Sequence, residues 1–288
     1  MLVTFALLCV AIGAVWLPDL RVPGGLRIPP WHVVFATFLG SGLLFGELTG
    51  FAVFALVFTW AAAAASMRGG RRVLSRGLVA MVCVLAFALA VHLVPGFGNP
   101  MVASGLRLSA NSPPITQYAS LDKGAAGLIL LAYYCQRARS LHEAGTATAT
   151  GLLLGAVNAA LVVGLIAGMG FIAWDPKLPE FALLWVPINL LLTCVAEEAF
   201  FRGMLQDRLS TLVGQSTRWQ ILPIAVSSLL FGLVHAGGGV GLVVAATIAG
   251  VGYGLAYAKT RRIESAVLAH FTLNAVHFFG FTYPYAVR

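Results

Sequence analysis

Continuous apolar runs follow one another along nearly the whole chain, and no other feature limits its possible folds as much. Ten stand out, at 2–17, 31–46, 50–66, 77–95, 124–136, 148–174, 181–205, 221–236, 240–258 and 266–281. Crossing a hydrocarbon core about 30 Å thick takes a helix of about 20 residues. Several runs are shorter, so eight spans with re-entrant or interfacial segments is a second solution. The expectation is an all-α, polytopic transmembrane helical bundle of eight to ten spans. Composition agrees: 59% of residues are hydrophobic and 10% charged, with a mean hydropathy of +0.90, against about 25% charged in soluble domains.

The net charge of +8 is not a nucleic-acid signal, because the basic residues sit in short loops between apolar runs. Excess Lys and Arg mark cytoplasmic loops. This puts inside Arg21 and Arg27, the group Arg68, Arg71, Arg72 and Arg76, the pair Arg137 and Arg139, the pair Arg208 and Arg218, and Lys259, Arg261 and Arg262. Alternation then puts both termini outside, with Asp175, Lys177, Glu180 and the long connection from Pro95 to Lys123. That connection holds Pro95, Pro100, Pro113 and Pro114 among Gly, Asn and Ser. Turn chemistry predicts ordered turns without a long helix, and it reads as a connector. The run 2–17 has no Lys or Arg before it, so it reads as a retained span and not a secretory signal. Cys9, Cys83, Cys135 and Cys194 show no CxxC spacing and read as small core residues.

Against this background a titratable group inside a run is informative. The seventh run carries Glu197, Glu198 and Arg202 within Thr193–Leu205. A charge at membrane depth costs about 3 kcal/mol or more and is a functional-site hypothesis by default. On an α-helix, Glu198 and Arg202 share a face in the favourable order, while Glu197 points about 100° away. One glutamate is then neutralised while the other faces elsewhere. A purely structural triad would not need the second acid.

Two further elements follow. Phe231 and His235 lie four apart, on one helix face. His270, Asn274 and His277 fall on one stripe. The plain alternatives are a histidine bonded to a backbone carbonyl and a polar seam between helices, where such contacts average about 0.6 kcal/mol. Taken together the residues form a set: a carboxylate with a histidine activates water, and a histidine with an asparagine stabilises an oxyanion. That is equipment for hydrolysis at an amide carbonyl. Gly250 and Gly254 make a small-xxx-small pair that suits close helix approach.

In order and in helical context, Glu197-Glu198-xxx-Arg202, Phe231-xxx-His235 and His270-xxx-Asn274 resemble the three motifs of the CPBP family. This is the group of CAAX-prenyl proteases and bacteriocin-processing proteins, also called the abortive-infection family. The resemblance covers about residues 183–281, a third of the chain. It implies an intramembrane endopeptidase in which Glu197 activates water with help from His235. His270 and Asn274 would form the oxyanion site, and Glu198 and Arg202 would support it. Family members often carry Asn four residues after the second-motif histidine, where this chain has Gly239; the polar contact there is either lost or supplied by His277. The chain then divides into 1–180, a transmembrane region of unknown role, and 181–288, the catalytic helices.

No cofactor is expected. The alternative is zinc on Glu197, His235 and His270, a two-histidine, one-carboxylate site, although the usual H-E-x-x-H helix is missing. The expected partners are a membrane-embedded or lipid-anchored protein or peptide substrate and membrane lipid, not nucleic acid. The expected location is the bacterial cytoplasmic membrane. Two other functions use the same residues: a transporter or proton relay, whose usual internal repeats are not visible, and a non-catalytic immunity or regulatory membrane protein.

Overall fold

The computed structural model describes residues 2–21, 25, 27–68, 72–214 and 220–287, with Arg72 in its backbone alone. Arg71 and Arg218, two of the basic loop residues, lie outside the described residues. Ten helices occur among the described residues, one in each apolar run. They are α1 Leu2–Gly13, α2 Pro30–Leu44, α3 Gly50–Met67, α4 Arg72–Ala90, α5 Leu121–Tyr134, α6 Leu141–Gly168, α7 Ala182–Val213, α8 Ile221–Leu233, α9 Val240–Thr260 and α10 Ile263–Gly280. The fold is all-α and polytopic. By length and composition α3, α6, α7, α9 and the stretch Val73–Ala90 of α4 suffice to cross a membrane, and α1, α2 and α8 are shorter apolar helices. The chain is an integral membrane protein.

Local chemistry sets the helix ends. Pro30 opens α2 at the position where a missing N–H costs nothing. Thr49 caps α3 by accepting from the Ala52 amide, and Ser140 caps α6 by accepting from Glu143 N at 3.1 Å. Arg261 closes α9 in the left-handed conformation, with φ of 54°.

The chain forms two compact units. The first holds Met1–Val102, Tyr118–Tyr134 and Leu191–Phe200; the second holds Ala103–Gln117, Cys135–Leu190 and Phe201–Arg288. In the first unit α5 is buried almost all round, with α1, α3, α4 and residues 195–198 of α7 packed against it. In the second unit α6 packs on α10 and α9, and α9 packs on α8. Trp185 and Phe278 stack at 4.0 Å in its core, with Tyr283 edge-on to Phe278.

The long connection has more order than its turn residues suggest. Met101–Leu106 and Ile115–Tyr118 form a two-stranded sheet, the only strands in this connection among the described residues. In the first unit, Asn99 accepts from the Leu121 amide at 2.7 Å and donates to Asp122 at 3.1 Å. This ties the end of the connection to the start of α5.

Candidate active site

The helix that carries the carboxylate pair is not uniformly α. Pro187 lies inside it and lacks an N–H, so the α ladder cannot continue unbroken through that turn. Ile188–Cys194 winds as π-helix, Val195–Glu198 returns to α, and Ala199–Gln206 is π again. Single π turns are frequent at functional sites. Here they bracket Glu197 and Glu198. The α period behind the Glu198–Arg202 spacing therefore does not hold through this stretch, where the ladder links residues five apart.

In the first unit Glu197 is partly exposed and its Oε1 lies 2.6 Å from Lys123 Nζ. Glu198 is fully buried. Gly127 of α5 faces Ala196 so closely that an added Cβ would lie 2.6 Å from the Ala196 Cα.

The second unit brings the two motif histidines to one aromatic ring. Phe231 lies 4.8 Å from His235 and 5.7 Å from His270, ring to ring. His235 stands just beyond the end of α8, not inside it, and its Nδ1 lies 2.7 Å from the Phe231 carbonyl oxygen. A carbonyl only accepts, so Nδ1 carries a proton, and in the neutral ring Nε2 then presents its lone pair. His270 is buried, with Tyr253 stacked on it at 4.5 Å and 13°. Asn274 donates to Asn189 Oδ1 at 3.2 Å.

Arg202 supports that aromatic group. It is fully buried, donates from Nη2 to the Gly250 carbonyl at 2.7 Å, and lies 4.9 Å from the Phe231 ring and 5.4 Å from the Tyr253 ring. The rings that touch His235 and His270 thus rest on its guanidinium, an attraction of about 2 kcal/mol or more per contact when desolvated.

His277 lies about 10 Å further along α10 than His270. Its ring neighbour is Tyr283, at 5.2 Å, in the Trp185–Phe278 cluster. Gly239 has φ of 85° and ψ of 173° with open space around its Cβ position. That region is essentially glycine-only, so backbone conformation and not crowding explains why an asparagine is missing there.

Among the described residues no group of three or more His, Cys, Asp or Glu side chains is placed to hold a metal ion.

Residues 179–276 match the family model of Type II CAAX prenyl endopeptidase Rce1-like proteins. The match agrees with the resemblance read from the motifs, and points to an intramembrane peptidase of the CAAX-protease type acting on a membrane-associated protein. The Rce1-like segment contains Glu197, Glu198, Arg202, Phe231, His235, His270 and Asn274, and ends one residue before His277. No curated protein and no solved structure matches the chain.

Three residues at the site were not singled out from the sequence. Asn189 and Tyr253 fall inside the Rce1-like segment, and Lys123 does not. A lone polar residue in an apolar run marks Asn189, and the flanking Gly250 and Gly254 mark the surroundings of Tyr253. Lys123 has no such marker, since its partner is 74 residues away in sequence.

Proposed function

We infer that the chain hydrolyses a peptide bond of a membrane-embedded or lipid-anchored protein, with water activated by Glu197 and His235 and without a metal. The observation that carries this is His235: its Nδ1 is tied to the Phe231 carbonyl, so Nε2 is oriented as an acceptor beside the ring it shares with His270. A histidine held this way takes a proton from water or relays one to the leaving amine. Glu197 is the carboxylate that takes the first proton. Buried His270 and Asn274 supply N–H donors to the oxyanion that forms on the scissile carbonyl. Arg202, with Glu198, supports the rings beneath the histidines. Residues 181–288 carry the chemistry, and the bacterial cytoplasmic membrane is its location.

The test is a proteomic comparison of membranes containing the wild type or Glu197→Ala. Proteins shortened in the first and intact in the second are the substrates. Identical membrane proteomes at equal expression would overturn the peptidase reading.

A further inference from the structure

The Rce1-like match leaves out residues 1–178, yet one side chain from that region meets the carboxylate pair. We propose that Lys123 is a positioning residue for hydrolysis, holding the Glu197 carboxylate in a single orientation. The proposal rests on the reading of Glu197 as the group that activates water.

Local helix energetics do not explain a lysine here. Lys123 lies in the first turn of α5, where the positive end of the helix dipole disfavours a cation. The neighbouring Asp122 is directed elsewhere: it takes His92 Nδ1 at 2.7 Å and Asn99 Nδ2 at 3.1 Å. The Lys123 ammonium goes to Glu197 instead, 2.6 Å away, with the two side chains only 19% and 17% exposed. Charges so nearly removed from water persist when paired and hydrogen-bonded.

The approach of α5 to α7 depends on small residues. An added Cβ on Gly124 would lie 2.8 Å from Leu192 Cγ, and one on Gly127 would lie 2.6 Å from Ala196 Cα. The backbones therefore meet closely, and the order of the contacts, 124 with 192 and 127 with 196, makes the two segments run in the same direction. From that register Glu197 lies five to six residues further along α7 than the point opposite Lys123, about 8–9 Å, a gap that the two long side chains close between them.

The chemical consequence concerns orientation. A glutamate has several rotatable bonds, and fixing them costs entropy. A partner that fixes the carboxylate also fixes the direction from which it accepts a proton. Reactions of this kind depend on such alignment: a displacement of about 1 Å costs about 100-fold in rate.

The test uses full-length protein in lipid nanodiscs and a farnesylated CAAX peptide with a fluorophore and quencher across the scissile bond. Turnover is expressed per monodisperse folded molecule. Glu197→Gln should be inert. Lys123→Met should lower kcat about 100-fold with KM unchanged, and Lys123→Arg, which restores a cation, should recover most of the loss. Lys123→Gln gives the same expectation with a polar side chain, should the methionine variant fold poorly. A purely structural lysine would reduce folded yield and leave kcat per folded molecule intact. If Glu197→Gln is inert while Lys123→Met and Lys123→Gln turn over like or faster than the wild type, the Lys123 proposal alone is overturned. If Glu197→Gln cleaves like the wild type, the role given to Glu197 is wrong and the proposal falls with it.

Discussion

Arg202 donates from Nη2 to the carbonyl of Gly250, 2.7 Å away, and Gln206 repeats the contact at Gly254, 2.9 Å away. The spacing of the donors on α7 matches the spacing of the glycines on α9. The small-xxx-small pair is thus a strip of accessible backbone carbonyls. An added Cβ at Gly250 would lie 3.1 Å from both Arg202 Nη2 and Ser228 Cα. Truncation of Arg202 removes a charge-assisted hydrogen bond of about 1.5–3 kcal/mol and cation–π contacts of about 2 kcal/mol. Arg202→Ala should therefore lose about 3–5 kcal/mol of stability, read as a drop in folded yield and melting temperature in detergent. Arg202→Lys should fall between, because an ammonium does not stack on rings as a guanidinium does. Gly250→Val should mimic the alanine variant from the other side of the contact. A melting temperature for Arg202→Ala equal to the wild type would remove this support for the aromatic group.

The ten helices were legible because each is written as a continuous apolar run, and a run of that kind has one local solution in lipid. The three motifs were legible because Glu197, His235 and His270 are rare residue types in that setting. The π winding at 188–206 was not, since it arises where Pro187 interrupts the ladder and the period resets. Nor was the end of α8 at Leu233, two residues short of His235: apolar residues continue to Val234, and the break depends on the turn that follows. The Lys123–Glu197 pair was hidden because residues of two helices far apart in sequence meet only through the Gly124 and Gly127 approach. The strands at 101–106 and 115–118 lay in a segment whose prolines spoke only of turns.

Topology has a test that the second unit helps to frame. At one end Asp207 pairs with Arg261 at 2.6 Å and Glu143 with Arg262 at 2.8 Å, so the loops rich in basic residues lie together. At the other end Ser109 accepts from the Tyr283 amide, and the Asp175 amide donates to the Gly280 carbonyl. Loop charge assigns the first of these ends to the cytoplasm. A cysteine at Ala110 should react with an impermeant maleimide in intact cells, and a cysteine at Arg208 only after permeabilisation. Labelling of residue 208 but not 110 in intact cells would reverse the orientation.

The proposed division of labour makes a kinetic prediction that a structural role for the same residues would not. An oxyanion donor contributes only in the transition state, so its loss lowers kcat and kcat/KM together. Asn274→Ala should cut turnover by about 100–1000-fold with near-normal folding. Glu197→Ala and His235→Ala should each come close to abolishing it. Since base and helper act as one unit, the double variant should be little slower than either single; losses that multiply would instead mean two independent roles. A strong chelator should leave wild-type turnover unchanged. Loss of activity in chelator with recovery on added zinc would replace the metal-free mechanism.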